Sequence, residues 1–324
     1  MSERIVIEAC GEPEVMRLQR VELDAPGPGQ VLLQHTRIGV NFHDIYVRSG
    51  LYRTLPLPGT PGIEAAGVVL ACGPGVADLR PGDRVAYVTD AYGVYASERL
   101  IDADALLRVP ADVSDEIAAS VLLRGLTVDM LLKRVHAVQP GDWVLVQAAA
   151  GGVGQLLCRW ASHLGARVIG TVGRATQAEL ARRAGCTLVL ESRRDDVPQR
   201  VREATGGRGV AVAYDGVGRE TVKASLAALA TCGHLVNFGQ SSGVVPPIEM
   251  SVLASRSLSV TRPIVFHHLR DVGEREAAAA RVFAAVRAGV LSVGVPRLFA
   301  LAEAAQSHRV LEAEGAAQPL LLVP

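Results

Sequence analysis

Lysine is nearly absent: Lys133 and Lys223 are the only two among 33 basic residues, the rest being arginine. The bias is one of coding, as in a GC-rich genome, and excludes no function by itself. An excess of charge is also missing, because 33 acidic residues balance the basic ones. No basic stretch is interleaved with aromatics, so the footprint of a nucleic-acid binder is lacking. The five cysteines, Cys10, Cys72, Cys158, Cys186 and Cys232, are far apart and never form C-x-x-C. That argues against a disulfide framework and for small buried hydrophobes in a reducing compartment. No uncharged apolar run reaches the ~20 residues that span a bilayer. Met1 to Val6 show no basic stretch leading into a long apolar one, as a secretory signal would. The expectation is a soluble cytoplasmic protein with neither nucleic acid nor membrane as partner.

What is present is enough apolar surface for large cores, 49% of 324 residues, and a length suited to about two domains of ~150 residues. Up to about residue 110 the chain reads as short strands between close turns such as Pro26-Gly27-Pro28-Gly29 and Pro81-Gly82-Asp83. Ser114 then precedes a helical run with Glu116 in its first turn. From there to about residue 262, strand and helix patterns alternate. Strands are expected at 143–146, 167–172, 187–190, 210–215, 234–238 and 258–261. Thr176-Gln177-Ala178-Glu179 reads as a capping box, and a helix is expected to run to Gly233. Repeated β-α with short connections implies a doubly wound parallel sheet with a ligand at the carboxyl ends of its strands. The tail reads as an alanine-rich helix over 274–288, a helix over 298–310 and a strand over 320–323, returning to the first domain. The expected domains are therefore residues 1–124 with 267–324, which are β-rich, and residues 125–266, which are α/β.

The most informative stretch is Trp143 to Gly154. An apolar run, Trp143-Val144-Leu145-Val146, breaks into Gln147, three alanines and Gly151-Gly152-Val153-Gly154, and a helical pattern follows. With Ala149 in the first slot of G-x-G-x-x-G, the Ala149, Gly151 and Gly154 positions supply a tight turn, a bare backbone at a pyrophosphate and close helix–strand packing. The helix N-terminus, with Gly152 and Val153, then faces the phosphates. About 20 residues on, an NAD site needs a carboxylate, whereas an NADP site puts a cation there. Here the second strand ends in Val172-Gly173-Arg174. A guanidinium holds a 2′-phosphate bidentately, so NADPH is expected in preference to NADH.

Asn41-Phe42-His43-Asp44-Ile45-Tyr46-Val47-Arg48-Ser49-Gly50-Leu51-Tyr52 is a dense polar and aromatic cluster, followed by Pro61-Gly62-Ile63-Glu64. Further on come Arg124-Gly125-Leu126-Thr127, Tyr214-Asp215-Gly216-Val217-Gly218, Phe238-Gly239-Gln240-Ser241-Ser242-Gly243 and Thr261-Arg262-Pro263. In this order, over nearly the whole chain, these segments resemble the zinc-free quinone oxidoreductase branch of the medium-chain dehydrogenase/reductase family. The resemblance implies a Rossmann domain joined to a GroES-like catalytic domain. Against the zinc alcohol dehydrogenase pattern, Asn41 stands in the Cys slot and Ile63 in the His slot, the four-cysteine zinc lobe is missing, and no metal is expected. His43 is expected as a packed polar histidine.

The resemblance implies that Asn41 and Tyr46 line the nicotinamide side with Thr127 and Arg262 near by. Tyr52 faces the substrate, with Asn41 and Arg124 beside it. Asn41, Tyr46 and Tyr52 are the catalytic candidates, either tyrosine being able to give a hydrogen bond or a proton to the acceptor. Gly216, Phe238, Gly239 and Ser241 join the cofactor set, as do Gly173, Arg174, Gln177 and Ser192. Where NADPH-using relatives carry a Lys, a Tyr and an Arg, this chain has Gln177, Ser192 and Glu314. Only Arg174, with Arg193, compensates. The activity implied is metal-free hydride transfer from NADPH to a quinone, in a homodimer. An enone or acrylate-type alkene reductase, or an inactive nucleotide-binding protein, are the alternatives.

Overall fold

The computed structural model describes residues 1–315 and 317–324. They fall into two compact units: Met1–Arg124, Leu269–Arg287 and Val293–Pro324 form the first, Gly125–His268 and Ala288–Ser292 the second. Among the described residues no helix is long and apolar enough to cross a membrane.

In the first unit, β1 (Ser2–Val6) and β2 (Arg17–Val21) pair antiparallel. The main sheet uses β3 (Gln30–Val40), β4 (Glu64–Cys72), β5 (Arg84–Val88), β6 (Glu98–Asp102) and β7 (Leu107–Arg108). Strand β3 pairs with β4 along one edge. Its other edge is shared, by β6 at residues 30–34 and by Leu320–Val323 at residues 38–40. Val31 and Leu33 and, past a register shift between His35 and Arg37, Ile38 and Val40 of β3 are buried with Val69, Val85 and Tyr87 in one core.

Between β3 and β4 lies a helix, α1 (Phe42–Ser49), where only strands and turns were expected. It is short and its polar and aromatic residues give no apolar period. Its signals are local: Asn41 is extended at the N-cap, the Asp44 carboxylate accepts the Asn41 N–H at 2.9 Å, and Gly50 ends it at φ +82°. Helix α2 (Asp115–Met130) follows β7.

The second unit holds β8 (Trp143–Val146), β9 (Arg167–Val172), β10 (Cys186–Glu191), β11 (Val210–Asp215), β12 (Leu229–Asn237) and β13 (Ser259–Thr261). All neighbours are parallel, in the order β10-β9-β8-β11-β12-β13. This is the doubly wound order whose direction reverses between its first and fourth strands. Helix α3 (Gly152–His163) crosses from β8 to β9.

Three local expectations need correction. The helix expected to run to Gly233 stops at Ala228, and β12 begins at Leu229 with a register shift against β11. Close backbone approach is the cause, since a Cβ on Gly209 would lie 2.7 Å from the Ala228 carbonyl oxygen. Thr176 caps nothing: a 3-10 turn over Ala175–Gln177 leads into the helix, and Glu179 pairs instead with Arg183 at 2.9 Å. The segment beginning at Leu298 is a strand first, Arg297–Ala300, parallel to Leu320–Val323, and a helix only from Ala304 to Glu314.

Candidate active site

The glycine turn leaves β8 at Val146 and enters α3 with Gly151 as N-cap. Ala148 takes φ +53°, the Gly151 N–H donates to its carbonyl at 2.9 Å, and the Ala149 N–H donates to Thr171 at 2.8 Å on β9. A Cβ on Gly154 would lie 2.2 Å from the Ala148 oxygen, so glycine is required for the turn to pass under the helix. No side chain caps α3, which leaves its first-turn N–H groups, at Gly152 and Val153 among others, for a ligand. Bare backbone and an uncapped helix at the switch point of a parallel sheet fit a dinucleotide pyrophosphate.

Buried polar groups hold this turn from below. Gln147 donates to Ser225 Oγ at 3.0 Å and accepts from Thr171 Oγ1 at 2.6 Å, and Ser225 donates to Asp215 at 2.8 Å. The fully buried Asp215 also accepts the Val217 and Gly218 N–H groups at 2.9 Å and the Thr221 hydroxyl at 2.8 Å. A buried polar side chain so completely supplied with donors is tolerated, and it fixes the chain as it leaves β11.

At the end of β9, Gly173 and Arg174 are exposed. The Gln177 side chain lies against Gly173, and Ser192 donates its N–H to Val172 at 2.9 Å and its hydroxyl to the same carbonyl at 3.3 Å. Arg193 is drawn towards Glu220 at 3.6 Å. At the ends of β11 and β12, Gly239 packs so close to Gly216 that a Cβ would lie 2.5 Å from the Gly216 oxygen; the Phe238 ring covers Gly216 and the Ser241 N–H donates to Gly216 at 3.3 Å. Arg262, just after β13, donates to Asn237 Oδ1 at 2.6 Å and to the Gly239 carbonyl at 3.1 Å.

In the first unit, Asn41, Tyr46 and Tyr52 lie together on and just after α1. Tyr46 and Tyr52 meet edge to face, 5.1 Å between centroids, and the Tyr52 N–H donates to Tyr46 at 2.9 Å. Asn41 Nδ2 donates to Glu64 Oε2 at 2.8 Å, and Glu64 Oε1 accepts the Leu123 N–H at 2.7 Å. Burial pushes Glu64 up to about 7, against these two donors and the Arg124 guanidinium. Arg124 is itself buried, which lowers its pKa, while the Glu64 charge raises it. Asp44 is also raised to about 7, first by burial and further by Glu64; its Oδ2 accepts from Asn41 N–H and from the Tyr95 hydroxyl at 3.1 Å. Among the described residues no group of three or more His, Cys, Asp or Glu side chains is placed to hold a metal ion.

Residues 27–111 match the alcohol dehydrogenase GroES-like domain, and residues 152–282 match the zinc-binding dehydrogenase family. The chain is 40% identical to a 2-haloacrylate reductase from a Burkholderia species over 98% of both chains. It is 39% identical to quinone oxidoreductase 1 of Escherichia coli K12 over 100% of both. The chain belongs to the quinone oxidoreductase branch of the medium-chain dehydrogenase/reductase family. A crystal structure of E. coli quinone oxidoreductase complexed with NADPH superposes on it with a TM-score of 0.96 at 39% identity, covering 99% of this chain and 100% of that one. The crystal structure of a 2-haloacrylate reductase does so with a TM-score of 0.89 at 40% identity, covering 99% of each. A Rossmann sheet and a β-rich GroES-like unit are the architecture of this family, and both are present here.

Within this quinone oxidoreductase frame, the sequence candidates form four local groups. The glycine turn stands by itself; Gly173, Arg174, Gln177 and Ser192 gather past β9; Gly216, Phe238, Gly239, Ser241 and Arg262 gather past β11 to β13; Asn41, Tyr46 and Tyr52 gather at α1. Thr127 lies half-buried on α2, and Glu314 pairs with Arg297 at 3.5 Å. Two features escaped the sequence reading. Glu64 stands in the sequence only as the last residue of Pro61-Gly62-Ile63-Glu64, and no spacing signals that it and Asp44 are buried beside Asn41. Tyr92, whose hydroxyl meets His43, carried no signal apart from the Gly93 that follows it.

Proposed function

We propose that this chain is an NADPH-dependent quinone oxidoreductase that works without a metal. The observation that carries the reading is the state of Asn41 and Glu64. Asn41 fills a position where the zinc enzymes have a thiolate, and it donates to Glu64, whose second oxygen is taken by a backbone N–H. Ile63 fills the neighbouring imidazole slot. An amide donor, an alkyl group and an engaged carboxylate do not make a zinc site.

The nucleotide unit fits the cofactor named for the E. coli relative's crystal structure. Gly151 to Gly154 would hold the pyrophosphate, and Arg174 with Gln177 and Ser192 the ribose 2′-phosphate. When bound, NADPH supplies a hydride at its nicotinamide ring. Asn41 and Tyr46 bind and orient that ring, and Arg262 is kept in place by Asn237 and Gly239. Tyr52 offers its hydroxyl to the acceptor oxygen, where charge builds. A quinone accepts hydride without Lewis-acid help, so positioning within ~3–3.5 Å in a dry pocket is what the residues contribute.

A second reading, reduction of an activated alkene, is favoured by the 40% identity to a 2-haloacrylate reductase. We further propose a cytoplasmic homodimer. Five free thiols suit a reducing compartment, and β13 is a sheet edge with exposed Val260 and, near by in sequence, exposed Ile264 and Met250. The test is to strip the protein with a chelator and measure NADPH oxidation by 1,4-benzoquinone. Metal-free protein should retain full activity; activity that disappears with stoichiometric zinc and returns on its addition would contradict the reading.

A further inference from the structure

Tyr92 is buried at 5% exposure, yet it is a bulky residue held at φ +57°, in the left-handed region that favours glycine. Its surroundings over-determine that conformation. The Tyr92 carbonyl accepts from Arg99 at 2.8 Å, the Gly93 N–H donates to Thr60 at 2.8 Å, and the Val94 N–H donates to Pro61 at 3.0 Å. Strain kept in this way points to a task for the side chain.

The phenol hydroxyl of Tyr92 meets two groups from different parts of the first unit. One is His43 Nε2 on α1, at 3.1 Å. The other is the hydroxyl of exposed Thr54, in a short hydrogen bond. The His43 ring stacks on Tyr92, 5.9 Å between centroids, and stands edge-on to Tyr52 at 5.6 Å. Thr54 belongs to the stretch after Tyr52. Among the described residues 53–58 make no backbone hydrogen bond to the rest of the unit. That stretch is held by Leu55, which packs on the core, and by the Thr54 hydroxyl. Tyr46, by contrast, is fixed within α1 by the helix itself.

We propose that Tyr92 is a positioning residue for the acceptor: through Thr54 and His43 it holds the segment and the ring against which Tyr52 stands, and so sets the affinity for a quinone rather than for the nucleotide. The proposal rests on the quinone reading above. His43 suits the task as a neutral ring, since burial lowers its pKa to about 4, so that it presents polarity to an aromatic acceptor without charge.

Tyr92→Phe keeps the ring and deletes the shared hydroxyl, and Thr54→Val deletes the other end of the tie. Each should raise KM for 1,4-benzoquinone about three- to ten-fold, the size of a neutral hydrogen bond, with Tyr92→Phe at the upper end because it also loses the contact with His43, while KM for NADPH and the melting temperature stay close to wild type. The double variant should be no worse than Tyr92→Phe alone, because the bond that Thr54→Val removes is already lost with the Tyr92 hydroxyl. Hydrogen exchange of the Tyr52 and Gly59 amides, which flank the segment and donate to Tyr46 and Ile7, should quicken in all three. Exchange that does not change, or KM values for quinone and NADPH that rise together, would overturn the positioning role. Wild-type protein that turns over no quinone would overturn the functional reading and the acceptor part of the proposal; exchange still decides whether Tyr92 holds the segment.

Discussion

Arg174 concentrates the question of cofactor choice in one side chain. It is exposed at the end of β9, beside Gly173, Gln177 and Ser192, all uncharged, whereas Arg193 near by is engaged with Glu220. A 2′-phosphate there finds one guanidinium and polar partners; a carboxylate in its place would repel it. Arg174→Glu should lower kcat/KM for NADPH about ten- to a hundred-fold, matching the ~1.5–3 kcal/mol of charge-assisted hydrogen bonds, and leave NADH oxidation level or improved. Added salt should erode the NADPH rate of the wild type more than that of the variant. An unchanged ratio of NADPH to NADH efficiency would contradict the assignment.

At the scale of elements, the strand–turn–helix unit β8 to α3 is where the sequence was most legible. A β-branched run, then small residues, then an amphipathic helix is a pattern that only a buried parallel strand entering a helix satisfies well, and the alternation that followed identified the remaining strands. Gly154→Ala should disrupt this unit, because its Cβ would sit 2.2 Å from the Ala148 oxygen. The expected result is a lower melting temperature and NADPH binding weakened by at least ~10-fold; a variant that binds NADPH as tightly as wild type would show that the turn is not the pyrophosphate seat. Less was legible where tertiary contact overrides local pattern. The strand start at Leu229 depends on backbone meeting Gly209, and α1 is specified by Asn41, Asp44 and Gly50 rather than by period. The candidate residues at α1 could be named from family resemblance. Their support by Glu64 and Tyr92 could not, because those partners lie 23 positions from Asn41 and 49 from His43 and no periodic signal joins them.

Over the whole molecule, burial of titratable groups shapes the pH dependence of stability. Asp44 and Glu64 are both raised to about 7 from ordinary values of 3.8 and 4.5. The native state therefore binds more protons than the unfolded chain between about pH 4 and 7. The contribution of both groups is fully present at low pH and is lost as pH rises through 7. His35 and His43, lowered to about 4, and His308, lowered to about 3, all by burial, act in the opposite sense: stability present above about 6.5 is lost as pH falls towards 4. Between pH 6 and pH 8 the two oppose each other, so denaturant unfolding of wild type against Asp44→Asn isolates the carboxyl. The change in stability from pH 6 to pH 8 should be less favourable in wild type than in Asp44→Asn; the same change in both would mean that Asp44 ionises in the fold as it does in water.

What receives the hydride is decided by steady-state kcat/KM over matched acceptors. With NADPH at saturation, 1,4-benzoquinone is compared with 2-chloroacrylate and an α,β-unsaturated ketone on chelated wild-type protein. Quinone efficiency should exceed that for either alkene by at least ~10-fold, with one hydroquinone formed per NADPH consumed. A higher efficiency on the alkene, or tight NADPH binding with no turnover of any acceptor, would contradict it.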